Sequence, residues 1–130
     1  MKFSILVLAA PYSSQGSYSA YRFTEAALHA GHQIQRVFFY QDGIHSTTQL
    51  ATPPQDEFDL YRAWQDLQRT HALDCVTCIA AAARRGVIDD GERRRHNRKH
   101  SNLAPGFELG GLGQLVEAMH DSDRLITFGT

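Results

Sequence analysis

Cysteine is scarce. Only Cys75 and Cys78 carry thiols among 130 residues, too few for a disulfide-stapled scaffold. Long apolar runs are missing as well. The longest, such as Ile5 to Ala10, has six residues, against the roughly 20 that a membrane-spanning helix needs. Neither sign of charge dominates: thirteen Lys and Arg against fourteen Asp and Glu leave a net charge of −1. That excludes a polycationic nucleic-acid binder of the histone kind but leaves room for a local basic patch. No glycine-rich phosphate loop follows a strand, and Gly110, Gly111 and Gly113 open a helix without the spacing of a dinucleotide fingerprint. His96 and His100 have i, i+4 spacing, but no further ligands stand near them to complete a metal site. His45, His71 and the scattered carboxylates form no visible acid–base pair with a cysteine. No cofactor is expected.

What is present fits one globular domain. Hydrophobic residues make up 42% and charged residues 21%, close to the soluble average. A chain of this length buries roughly two-thirds of its unfolded surface, enough to fold without a metal or a disulfide. Lys2 followed by a short apolar run resembles the start of a secretory signal, but the run begins at once and no A-x-A site follows. It reads as a first strand, and the protein is expected to be cytoplasmic.

Strand-like and helix-like segments alternate. Phe3 to Ala9 is a continuous apolar run of strand length. Ser17 to Ala30 reads as a helix stopped by Gly31, Gln33 to Tyr40 as strand two, and Ser46 to Gln55 as a long loop. Phe58, Leu60, Tyr61, Trp64 and Leu67 predict an amphipathic helix over Asp56 to Thr70, with Asp56 as its N-cap. Leu73 to Ile79 is strand three, and Ala80 to Arg85 a helical turn ended by Gly86. Phe107 to Leu109 is strand four. Leu112, Leu115, Val116 and Met119 share one face of a helix over Leu112 to His120, and Asp123 to Phe128 is strand five. The alternation predicts a single three-layer α/β domain over residues 1–130: a mostly parallel five-stranded sheet with helices on both faces. Functional groups then gather at the C-terminal strand edge, just after Ala9, Tyr40, Thr77 and Phe128.

Cys78 stands at that edge, where strand three gives way to a helical turn. Backbone N–H groups and the start of a helix favour thiolate over thiol, so Cys78 is the candidate nucleophile, with Arg84 and Arg85 as sources of positive potential; the alternative from position alone is a buried core cysteine. Cys75 lies mid-strand and reads as core. Strand residues three apart point to opposite faces about 10 Å apart, too far to bridge, so Cys75 and Cys78 do not read as a redox pair. Arg84 to His100 holds seven basic and three acidic residues, a local charge of +4. It reads as a solvated helix and loop, or as docking for RNA or an acidic partner. No aromatics are interleaved for stacking on RNA.

Six segments then resemble one family. VFFYQDG, PPQDE leading into the Trp64 helix, CIAAAARRG beginning at Cys78, SNLAPGFELGGLGQLVEA, the closing DRLITFG and the first strand resemble the TusD/DsrE subunits of the DsrE/DsrF-like sulfur-relay family, nearly end to end. The resemblance implies a sulfurtransferase that carries a persulfide on Cys78, its catalytic residue, and passes the sulfur toward 2-thiouridine at the tRNA wobble position. A sulfur carrier in dissimilatory sulfur oxidation is the alternative within the family, and a non-catalytic subunit of a hetero-oligomer the alternative outside that chemistry. The implied partners are TusB-like and TusC-like subunits in a heterohexamer (or DsrF and DsrH), a TusA-like donor and a TusE-like or DsrC-like acceptor. Direct contact with nucleic acid or membrane is not implied. The basic stretch from Arg93 to His100, and Cys75, depart from the family pattern.

Overall fold

The computed structural model describes all residues, 1–130. Strand β1 spans Lys2–Val7, β2 Gln33–Phe39, β3 Cys75–Cys78, β4 Phe107–Gly110 and β5 Arg124–Phe128. They form one sheet in the order β4-β3-β2-β1-β5, and every neighbouring pair is parallel. Parallel pairing demands crossovers, supplied by helices α1 (Gly16–His29), α2 (Leu60–His71), α3 (Ile79–Arg84), α4 (Asp90–Arg95) and α5 (Leu112–His120).

Register shows which face each side chain takes. Ile5 pairs with Val37, Val37 with Cys75 and Cys75 with Phe107, so all four point the same way. On that side Phe39 meets Trp64 of α2 edge to face, and Phe3 meets Phe23 of α1. The other face belongs to α5: Ser4 Oγ donates to the Ala118 carbonyl and Arg36 to the Gln114 carbonyl. The continuous apolar strand sequences follow from this double coverage. No helix is long and apolar enough to cross a membrane.

Three expectations need correction. The segment after β2 is not simply turn and loop, because Gln41–Thr47 winds into a 3-10 helix. It fits because Gly43 lies against the Val7 carbonyl, where any Cβ would collide with backbone. The second helix starts at Leu60, and its N-cap is Asp59, whose carboxylate accepts from the Arg62 N–H, rather than Asp56. The Tyr12 hydroxyl explains the delay. It donates to the Phe58 carbonyl at 2.6 Å and accepts from the Leu60 N–H, holding the preceding backbone out of the helix.

The charged segment does hold a solvated helix, α4, although apolar periodicity does not reveal it. Its signal is polar: Asp89 caps the N–H of Glu92. Finally, the shared face of Leu112, Leu115, Val116 and Met119 meets the core only through Leu115. Ala118 is the buried residue of α5, and Leu112, Val116 and Met119 lie in water.

Candidate functional site

Cys78 closes β3 and serves as N-cap of α3, with extended backbone at φ −59° and ψ 119°. Two elements meet there because the β-branched run ends at Thr77 and a run of alanines, the best helix formers, follows. Its register partner is Gly110. The face alternates along a strand, so Cys78 and Val76 lie on the α5 side of the sheet, and Cys75 lies on the α2 side with Val37 and Phe107. Both thiols are free. The Cys75–Cys78 pair is therefore split between two faces.

The structure changes two expectations about Cys78. Its thiol does not cap the first turn of α3, so N-terminal N–H groups do not hold the sulfur directly. It is also 4% exposed, not an open nucleophile. Helix α5 reaches the neighbouring strand end at Gly110, the register partner of Cys78. The Gln114 side chain lies over the Cα of Gly110, where a Cβ would collide with it, with Val76 alongside. Gly110 is required for this approach, and Gln114 is a site residue that sequence reasoning missed. The Gly110-Gly111 doublet ahead of the helix was the available signal.

Arg85 does not aim at Cys78. Its Nε donates to Asp42 Oδ1 at 2.8 Å and its Nη1 to the Ala81 carbonyl at 3.1 Å. The pair ties the 3-10 helix after β2 to the C-terminal end of α3, the end away from Cys78. Arg84 is exposed. Cys75 is 1% exposed, and burial, reinforced by the charge of Asp74, pushes its thiol well above the ordinary range. A group so held is a packing residue rather than a nucleophile.

Clefts do not mark the cysteine. The largest, about 610 Å³, opens beside the exit of β1 between Tyr12, Tyr18 and Phe58, and Cys78 lines no cavity. No cluster of His, Cys, Asp and Glu has the makings of a metal site.

A sequence profile of the DsrE/DsrF-like family matches residues 1–128. The chain belongs to the DsrE/DsrF-like family. Its relatives within that family include the DsrE protein of Allochromatium vinosum, 49% identical over 99% of both chains. The sulfurtransferase TusD homolog of Pseudomonas aeruginosa is 50% identical, over 99% of this chain and 98% of its own. The TusD homolog of Vibrio parahaemolyticus is 44% identical over 98% of each. The crystal structure of the ychN protein from E. coli superposes with a TM-score of 0.79 over 98% of this chain and 99% of its own, at 18% identity. That likeness establishes the fold.

Proposed function

We propose that this chain is a sulfur-relay sulfurtransferase whose Cys78 carries the sulfur. The observation that carries this reading is the split of the two thiols: Cys75 is sealed in the α2-side core, whereas Cys78 ends its strand at the C-terminal sheet edge. Relatives named as sulfurtransferases over nearly the whole chain support it.

The step balances without an oxidant. The Cys78 thiolate attacks the outer sulfur of a donor persulfide. The donor S–S bond breaks, a new S–S bond forms on Cys78, and the donor leaves as thiolate. An acceptor thiolate then repeats the attack on the outer sulfur at Cys78. Each event needs one cysteine per protein. Because Cys78 is buried in the single chain, transfer requires the Gln114 side of the strand end to open when a partner docks.

The end use we infer is 2-thiouridine at the tRNA wobble position, through a TusA-like donor and a TusE-like acceptor with TusB-like and TusC-like subunits in the assembly. The outward Leu112, Val116 and Met119 of α5 fit such an assembly. Dissimilatory sulfur oxidation is the second reading, favoured by the DsrE relative at 49% identity.

Intact mass after incubation with a persulfide donor tests the chemistry. The protein gains one sulfur, and Cys78→Ser, still folded, gains none; loading on the serine variant ends the assignment. Nucleoside analysis of a deletion strain tests the pathway. Loss of 2-thiouridine is expected, and an unchanged level transfers the role to sulfur oxidation.

A further inference from the structure

The arginines of the basic segment divide into two sets. On α4, Asp90 pairs with Arg93 and Arg94, and Glu92 with Arg95 and His96. Those three arginines share two carboxylates on the helix itself. Arg98, Lys99 and His100 follow, and they form no ion pair and no side-chain hydrogen bond. They border a cleft of about 470 Å³ that no carboxylate lines. Its apolar floor is Ala83, Gly86 and Ile88.

The cationic rim is held at both ends. Asn97 adopts φ +56° and Arg98 N–H donates to the Arg93 carbonyl, closing the end of α4. On the other side Asn102 clamps the floor: its Oδ1 accepts from the Ile88 N–H and its Nδ2 donates to the Gly86 carbonyl. The cations are thus presented along one short, anchored stretch of backbone.

We infer that this cleft docks an acidic, extended segment of a partner protein. Each exposed ion pair is worth little on its own, so rim cations in water discriminate for a ligand that engages several of them together, not for a small lone anion. The apolar floor suits peptide backbone and side-chain carbon. It offers no aromatic face for a nucleobase, and the chain as a whole is slightly acidic. Ala83 lies five residues beyond Cys78 along α3, about 7–8 Å of helix rise, so a segment seated here belongs to a protein whose surface reaches the Cys78 end. The inference itself stands on the cleft and does not depend on sulfur chemistry.

The test is fluorescence anisotropy of a labelled oligoglutamate peptide on the whole protein at low and physiological salt. Two variants remove equal charge: Arg98→Ala/Lys99→Ala strips the rim, and Arg93→Ala/Arg94→Ala strips α4. The rim variant is expected to lose about tenfold in affinity and the α4 variant less than about twofold. Equal losses mean a diffuse field rather than a docking cleft and overturn the inference, as does peptide binding that neither variant changes. A labelled single-stranded RNA that outcompetes the peptide at physiological salt, and depends on Arg98 and Lys99, assigns the cleft to nucleic acid and overturns it as well.

Discussion

Arg36 holds Asp74 with two nitrogens, Nε at 2.8 Å and Nη2 at 2.7 Å from the same carboxylate oxygen. Its remaining nitrogen, Nη1, donates to the Gln114 carbonyl at 2.7 Å and lies 3.7 Å from Glu117. One side chain thereby joins β2, the approach to β3, and α5. The guanidinium is 10% exposed and the Asp74 carboxylate 41%, so removing the cation orphans a backbone acceptor more than it strands a charge. Arg36→Met is expected to cost about 2–3 kcal/mol in urea unfolding, and Asp74→Asn about 1 kcal/mol. Equal costs would place the value in the ion pair instead of the link to α5.

The start of α2 is set by one carboxylate. Asp59→Ala removes the acceptor for the Arg62 N–H and is expected to lower stability by about 1 kcal/mol. Asp56→Ala, in an exposed turn outside the helix, changes it by less than about 0.5 kcal/mol. Thermal melts of the two variants side by side decide the matter.

Alkaline pH loosens the fold. Burial holds Cys75 protonated, and burial followed by the Glu25 hydrogen bond and charge raises Tyr21 to about 12. Both folded-state values exceed the unfolded ones. The stability they contribute is therefore whole below the unfolded values and lost as pH rises. The decline begins near about pH 8.5, as the unfolded thiol ionises, steepens from about pH 10 with the unfolded phenol, and for Tyr21 ends as the folded group titrates at about 12. Urea midpoints should fall steadily over that window, and Glu25→Gln should soften the upper part. A flat profile from about pH 8.5 to 10.5 contradicts the assignment.

The buried state of Cys78 is measurable. Maleimide is expected to label Cys78 in the isolated native chain at least on the order of a hundredfold more slowly than in urea, because reaction waits on local opening. Gln114→Ala removes cover at the strand end and speeds Cys78 labelling, leaving Cys75 inert. Fast labelling of the unmodified native chain would mean that Gln114 covers nothing. Cys75→Ala is expected to keep sulfur loading, at a cost of about 1–2 kcal/mol.

The sheet and its helices were legible because apolar pattern and glycine breaks report backbone period directly. Gly31, at φ +85°, ends α1 where the sequence places the break. What stayed hidden depends on contacts between distant residues. Nothing local to Asp56 and Asp59 tells which of them caps α2; the hydroxyl of Tyr12 decides it from 47 positions before Asp59. The α5 stripe has helical spacing, but spacing does not say which way it turns, and here Ala118 and the Arg36 link leave Leu115 on the core and turn Leu112, Val116 and Met119 outward. Cys78 was found by its place at a strand exit. Its burial stood only as the alternative of a core cysteine, and the Gln114 side chain over its register partner Gly110 arrives from α5, 36 positions on.

The unequal coverage of the two sheet faces writes itself into mutational tolerance. Ile5 and Val7 sit at 0% exposure beneath α1 and α2, whereas Leu6 and Leu8, between and after them, keep partial contact with water on the α5 side. Truncating Ile5 leaves a void that close-packed neighbours cannot refill, at about 2–4 kcal/mol, while Leu6 accepts a polar replacement at a fraction of that. From Ile5 to Leu8 acceptable alphabets therefore alternate between narrow and wide, whereas Ser4, buried and hydrogen-bonded on the α5 side, stays narrow. Along α1, whose inner and outer sides differ in the same way, the alternation follows the helical turn. A library of single substitutions, scored for folding alone, would redraw the sheet and reveal which side of it still awaits a neighbour.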